Sequence, residues 1–232
     1  MKITIHQPNF LPYLGFFDKC DYADILVLYD STQFKKNDYQ NRNKIKGKDE
    51  WFWLTVPVNY NFGDVINEVK IDNSKEWKKD HIKSLETCYS GSKYFNRYLP
   101  KIREIYEKNW NFISNFNIEL IRFVLNELGI KCRVVLSSEL KIKNNGTEAL
   151  IEICKKLKSA RYVSGKDGKK YLEIKSFKKE GLVIEFQNYQ HPEYNQKFGE
   201  FNPCMCILDL LFNEGPNSLK VIRDGRYYES EC

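Results

Sequence analysis

The chain has 232 residues, 42% hydrophobic and 29% charged, proportions ordinary for one globular domain or one domain with a small appendage. That length buries a core without disulfides or a structural metal, and the composition excludes wholesale disorder. The net charge of +6 rests on lysine, which supplies 29 of the 37 basic residues, and twenty-one asparagines stand against three alanines. A Lys/Asn-rich, Ala-poor bias is what an AT-rich genome produces, so a solvated lysine surface is a simpler reading than nucleic-acid binding, with an anionic phosphorylated ligand the next one.

No window approaches 18 apolar residues, so no membrane span is expected. The opening Met1-Lys2-Ile3-Thr4-Ile5-His6-Gln7-Pro8 lacks the apolar stretch and cleavage site of a signal peptide, which points to a cytoplasmic protein. The cysteines at 20, 88, 132, 154, 204, 206 and 232 contain no C-x-x-C pair, and Cys204-x-Cys206 is too close for a zinc half-site. Reduced thiols follow.

Residues 3–5 predict a short first strand, and Pro8 and Pro12 then impose a loop over 6–14. A helix starts near Gly15 and carries Phe16, Phe17 and Cys20. The continuous apolar run 25–29 suits a strand buried on both faces, with Asp30 and Gln33 after its end. Residues 35–48 are basic and polar and predict a loop or partly helical insert. The 51–58 segment alternates as a strand, and 65–71 is its expected partner. From 77 to 128 the spacing is helical in three pieces, the last ended by Gly129.

An α/β alternation follows: a strand at 132–136 ending in Ser137-Ser138, a helix at 147–157 with Thr147 as N-cap, a strand at 161–163, a helical turn at 170–172, a strand at 182–186 and a helix at 207–212. The tail from 221 reads as short and polar. The expected fold is α/β, a mostly parallel, Rossmann-like three-layer sheet with a helical insert. It divides as 1–76, the insert or cap at 77–128, and 129–232.

In such a sheet, ligands bind beyond the C-terminal strand ends. The polar residues there are His6 and Gln7, Asp30 and Gln33, Ser137 and Ser138, Ser164, Gly165 and Gly168, then Tyr189, His191, Tyr194 and Gln196; the expectation is that all five ends share one cleft. His6, on a proline-fixed loop, suits phosphate contact or acid–base work, or else a cap or core position. Ser164-Gly165-Lys166-Asp167-Gly168-Lys169-Lys170 is a glycine-containing strand-to-helix turn of the kind that holds phosphate, though without Walker A spacing. Lys35, Lys36, Arg42 and Lys44, interleaved with Asn41 and Asn43, are dense enough to grip a diphosphate, Arg42 through its planar fork. There is no G-x-S-x-G, no H-E-x-x-H and no carboxylate cluster suited to Mg²⁺.

The residues His6-Gln7-Pro8-x-x-x-Pro12-x-x-Gly15-x-x-x-Lys19 open a pattern that continues through Asp30-x-x-Gln33-Phe34-Lys35-Lys36, Gln40-Asn41-Arg42-Asn43 and Leu54-Thr55-Val56-Pro57. It runs on through Ser137-Ser138-Glu139-Leu140, Tyr162-x-Ser164-Gly165-x-x-Gly168-x-x-Tyr171-Leu172, Tyr189-x-x-Pro192-x-Tyr194-x-Gln196 and 208–213. This series resembles the WbqC-like proteins of bacterial surface-polysaccharide gene clusters. One departure is Met205-Cys206, where a serine-containing segment is expected.

The resemblance implies a place in O-antigen, capsule or lipopolysaccharide biosynthesis, and N-acylation of a nucleotide-linked amino-deoxy sugar by an amino acid such as glycine. On that basis His6 or Asp30 takes a proton from the sugar ammonium, and Gln33 or backbone N–H groups hold the oxyanion. Lys35, Lys36, Arg42 and the 164–168 turn hold the diphosphate of a dTDP- or UDP-amino sugar. Gln7, Asn43, Ser137, Ser138, Tyr171, Tyr194 and Gln196 complete the expected binding set. ATP, through an aminoacyl adenylate, or an aminoacyl-tRNA would supply the acyl group, and a homodimer is left open. The alternatives are a HUP-type nucleotidyltransferase or ATP-dependent ligase, although the H-x-G-H pair is absent, and a non-catalytic sugar-nucleotide binder or scaffold.

Overall fold

The computed structural model describes residues 1–231. In chain order the elements are β1 (Lys2–His6), α1 (Leu14–Tyr22), β2 (Ile25–Leu28), β3 (Arg42–Lys46), β4 (Trp51–Thr55), β5 (Val58–Asn59), β6 (Lys70–Ile71), α2 (Trp77–Tyr89), α3 (Phe95–Glu107), α4 (Ile113–Leu128), β7 (Arg133–Leu136), α5 (Gly146–Lys156), β8 (Arg161–Gly165), α6 (Ile174–Lys179), β9 (Val183–Gln187), α7 (Ile207–Glu214), α8 (Ser218–Asp224) and β10 (Tyr228–Glu231).

Six strands form one sheet in the order β10-β9-β8-β1-β2-β7, parallel throughout except for antiparallel β10. The chain is α/β with a mostly parallel sheet, as the alternation implies. Strands β1, β2 and β7 progress to one side, and β8 and β9 lie on the other, so the order reverses between β1 and β8. Crossovers of one hand that progress in opposite directions place their helices on opposite faces.

The cores follow that rule. Consecutive strand residues point to opposite faces, and in β2 Leu26 and Leu28 join one buried cluster while Ile25 and Val27 join another. The first cluster holds Phe16, Phe17 and Cys20 of α1, the inward faces of α2, α3 and α4, and Leu208 and Leu211 of α7. The second holds Ile151 and Ile153 of α5 and Phe177 of α6.

The expectations for local structure fail at four places, each for a physical reason. Residues 42–46 are a strand, not a loop: Asn43 and Ile45 face inward, and the polar Asn43 hides the alternation. Strand β4 pairs with β3, while β5 pairs with β6. The N-cap of α5 is Asn145, and Thr147 instead accepts the Glu173 N–H at 3.3 Å. The tail forms α8 and β10: Val221 and Ile222 of α8 bury in the first core, and polar groups fasten the rest. Arg223 Nε reaches Asp21 at 2.8 Å, Arg226 Nε reaches Asp18 at 2.6 Å, and the Tyr228 hydroxyl donates to Asp18 at 2.7 Å.

A buried imidazole makes the fold acid-sensitive. His81 of α2 donates Nε2–H to the Thr55 carbonyl at 2.9 Å, which leaves Nδ1 to accept from the Tyr106 hydroxyl at 3.2 Å. Burial pushes its pKa down from 6.5 to about 4. The unfolded chain therefore takes a proton near pH 6.5 that the folded chain refuses until about 4, so stability falls as pH drops through that window. At roughly 1.4 kcal/mol per pH unit, His81 alone accounts for about 3 kcal/mol by pH 4. Urea midpoints measured from pH 7 to pH 4 should decline, and His81→Gln should flatten the profile.

Candidate functional site

Where strand order reverses, the flanking crossovers depart to opposite faces and leave a crevice beyond the C-terminal strand ends. Here that crevice is a cavity of about 530 Å³. His6 reaches it from β1, Ser164 and Gly165 from β8, Gln187 from β9 and Lys19 from α1. Tyr13, Tyr39, Asn43, Tyr189 and Cys204 line its other walls.

Lys19 dominates the electrostatics. Phe16 and Cys20 face the core, and spacing places Lys19 beside them on the inward side of α1. The side chain is 6% exposed, and its Nζ lies over the Gly165 backbone, 3.7 Å from where a Cβ would sit. Nζ has no hydrogen-bond or ion-pair partner among the described residues. The adjacent Asp18 does not neutralise it, because that carboxylate accepts from Arg226, Tyr228 and Gln187 Nε2, the last at 2.8 Å. Burial pulls the Lys19 pKa down from 10.5 to about 8.

His6 is held as a neutral imidazole with one defined lone pair. Its Nδ1 lies 3.0 Å from the Gln7 carbonyl, which can only accept, so Nδ1 carries the hydrogen and Nε2 is the acceptor. Burial first, and the Lys19 ammonium second, pull its pKa down to about 3. The Tyr13 phenol is pushed up to about 12, again by burial, and stays a donor. Its ring folds against Gly15, where a Cβ would come within 2.5 Å of the hydroxyl oxygen, so any larger residue there displaces the Tyr13 ring.

The 6–14 loop is fixed from outside the sheet. The Asn43 amide donates to the carbonyls of Phe10 (3.1 Å) and Leu11 (2.7 Å), and holds Leu11 at a left-handed φ of 43°. Gln7 accepts from Gln40 Nε2 at 2.9 Å, and Asn117 donates to the carbonyls of Pro8 and Gln40. On the β8 side, Gly165 leads into a short 3-10 turn, Lys166–Lys170. A Cβ on Gly168 would stand 2.2 Å from Ser164 Oγ, so glycine lets the turn close over that hydroxyl.

The strand ends divide into two groups rather than sharing one cleft. His6, Asn43, Ser164, Gly165, Gly168 and Tyr171 line the cavity. Asp30, Ser137 and Ser138 join β2 to β7 instead: Asp30 Oδ1 accepts from the Ser137 hydroxyl (2.9 Å) and the Ser138 N–H (3.0 Å), and Oδ2 accepts from the Ser138 hydroxyl (2.8 Å). Gln33 is exposed and bridges Val65 through its backbone. Gln7 tethers the loop. Tyr194 and Gln196 serve the buried Asp209, at 2.8 and 3.0 Å. Lys35 and Lys36 are exposed on the surface, and Arg42 stacks over Trp53 at 4.1 Å outside the cavity walls.

Sequence reading placed Tyr189 at the cleft but passed over Lys19, Tyr13, Tyr39, Gln187 and Cys204 as site residues. For Lys19 the signal was present, a cation three residues after Phe16 on a buried helix face. The others lie on loops and strand ends whose approach only the fold reveals. Cys206, at the departure from the expected serine, is the N-cap of α7 and makes no side-chain capping bond. No group of three His, Cys, Asp or Glu side chains is placed to hold a metal ion among the described residues, and no helix among them is long and apolar enough to cross a membrane.

Comparison with known proteins agrees with the motif series. No solved structure matches the chain. The chain is 32% identical over 226 residues to the uncharacterized protein Rv1507c of Mycobacterium tuberculosis, covering 96% of this chain and 97% of that one. The model of the WbqC-like protein family matches residues 7–221. With nearly the whole length matched by both, the chain belongs to the WbqC-like protein family.

Proposed function

We propose that this chain is a surface-polysaccharide enzyme that forms an amide on a nucleotide-linked amino-deoxy sugar, in the cavity at the reversal point of a Rossmann-like, three-layer sheet. The observation that carries the reading is Lys19. A buried cation without a partner is costly, and an anionic substrate group placed against it removes that cost. A sugar-nucleotide diphosphate between Lys19 and the Ser164 and Gly165 segment puts its sugar within reach of His6.

Pairing Lys19 with phosphate removes the second cause of the low His6 pKa, while burial, the first, remains, so Nε2 stays a neutral hydrogen-bond acceptor beside the sugar. The sugar ammonium gives up its proton to water, and the free amine donates an N–H to the neutral Nε2, which positions it. The free amine adds to the carbonyl carbon of an activated aminoacyl group. A C–N bond forms, the carbon–oxygen bond to the donor breaks, and the second amine proton passes to the departing oxygen. An aminoacyl adenylate and an aminoacyl-tRNA both meet that requirement. The neutral Tyr13 hydroxyl is a donor for the oxyanion.

The test incubates the protein with dTDP- and UDP-amino sugars, glycine, ATP and charged tRNA, and reads the sugar product by mass spectrometry. A gain of one aminoacyl residue, lost in His6→Ala, is expected. No gain with any donor, with UDP bound normally, overturns the transferase reading and leaves a binder. Release of AMP or pyrophosphate from ATP alone points to a nucleotidyltransferase or ligase.

A further inference from the structure

The basic segment singled out in the sequence is not absorbed by the cavity, and its geometry has a regularity of its own. On one face of the β3–β4 hairpin, cations of β3 stand opposite aromatics of β4: Lys44 pairs in register with Trp53, and Lys46 with Trp51. Arg42 lies 4.1 Å from the Trp53 ring centre, and Lys44 Nζ lies 3.9 Å from that of Trp51 and 5.6 Å from that of Trp53. Trp51 and Trp53 are 5.6 Å apart, and Tyr39, 43% exposed, continues the row at 6.0 Å from Trp53. Neither Arg42 nor Lys44 is ion-paired among the described residues, and Arg42 Nε is buried with no hydrogen-bond partner. Tyr39 also lines the cavity, so the row runs out from the cavity mouth.

We propose that this row of Tyr39, Trp53 and Trp51, interleaved with Arg42 and Lys44, is a binding track for a short single-stranded polynucleotide. One nucleotide needs one ring and one cation cluster. The three rings meet edge to face at 6.0 and 5.6 Å, with the unneutralised Arg42 over Trp53 and Lys44 over Trp51, so the row offers a longer aromatic and cationic surface than one nucleotide covers. Bases stack on aromatic faces and on guanidinium planes, and the cations neutralise the backbone without reading sequence. The inference is independent of the amide-transfer reading, since it rests on the hairpin and not on Lys19 or His6.

The test is fluorescence anisotropy of a labelled single-stranded RNA of about six nucleotides, a length typical of such sites. The expected result is saturable binding that weakens as salt rises, with a log–log slope near −1.4 for about two phosphate contacts. Trp53→Ala and Arg42→Lys should each weaken it about tenfold. Arg42→Lys keeps the charge at this half-buried position while losing the planar stack, which guards against a folding artefact at Trp53. Absence of saturable binding overturns the proposal, as does wild-type affinity in both variants. Displacement of the RNA by free UDP at the concentration that fills the cavity assigns the track to the sugar nucleotide and also overturns it. A failed transfer assay leaves this result untouched.

Discussion

Lys19→Met should make the ligand-free protein more stable and strip it of affinity for a sugar nucleotide. The side chain sits almost wholly out of water with no hydrogen-bond or ion-pair partner among the described residues, only the field of an Asp18 already engaged by Arg226, and methionine fills a similar volume without a charge to desolvate. The fall of the lysine pKa from 10.5 to about 8 corresponds to roughly 3 kcal/mol, an upper guide to what the substitution returns at neutral pH. For a chain of this size that is a rise in melting temperature of about 5–10 °C. Removing one member of a buried charge pair costs binding about 2–5 kcal/mol, so the affinity for UDP or dTDP measured by titration calorimetry should drop at least about thirtyfold. The wild-type protein has a matching pH dependence. Lys19 loses its proton as pH rises through about 8, and affinity for the anion should fall above that point. The His6 imidazole, followed by NMR, should titrate higher in Lys19→Met than in the wild type, because a depressing charge has gone. A variant that melts lower, or that still binds the nucleotide as tightly, removes the basis for placing the diphosphate there.

The parts of the fold that could be read from the sequence are those where one physical signal dominates. The run 25–29 is apolar throughout because β2 is covered on both faces, and the three helices between 77 and 128 carry broad apolar stripes toward one core. The parts that could not be read are held by polar contacts. The tail is secured through Asp18, Asp21, Arg223 and Arg226, with Val221 and Ile222 of α8 in the core, and so short a helix among charged residues gives no period to detect. Strand β3 carries Asn43 at an inward position because that amide is needed to hold the 6–14 loop.

The site divides in the same way. The residues at the ends of β1 and β8 could be named because each follows a predicted strand, while the order that brings those two ends together is visible only in the fold. Asp30 illustrates the limit. A carboxylate at a strand end has the credentials of a catalytic base, and only the hydroxyls of Ser137 and Ser138 against both its oxygens reveal a joint between two strands. Family membership carries the motif series without distinguishing these roles, because a joint and a base can both require an aspartate.

Asp209→Ala should be among the most destabilising single substitutions in the chain, at about 3–5 kcal/mol. This carboxylate, 0% exposed, accepts from the Tyr89 hydroxyl (2.9 Å), the Tyr194 hydroxyl (2.8 Å) and Gln196 Nε2 (3.0 Å). The network extends to β3, where the Lys46 N–H donates to the Tyr89 oxygen at 2.9 Å, and Lys46 Nζ reaches Gln196 Oε1 at 3.1 Å and the Glu200 carbonyl. Alanine leaves the Tyr89 and Tyr194 hydroxyls without this acceptor and Lys46 without its nearby balancing charge, while Gln196 Nε2 keeps the Asn202 carbonyl at 2.9 Å. Asn at the same position keeps one acceptor oxygen and the shape, so Asp209→Asn should lose about 1–2 kcal/mol, less than half as much. The two tyrosines come from α2 and from the loop that leads to Cys204 on the cavity wall. The alanine variant should therefore also weaken nucleotide binding, although Asp209 itself does not line the cavity. Urea midpoints rank the two variants, and calorimetry with UDP reads the second effect. Equal stability for Asp209→Ala and the wild type would mean that the loop and the hairpin are held together by their apolar contacts alone.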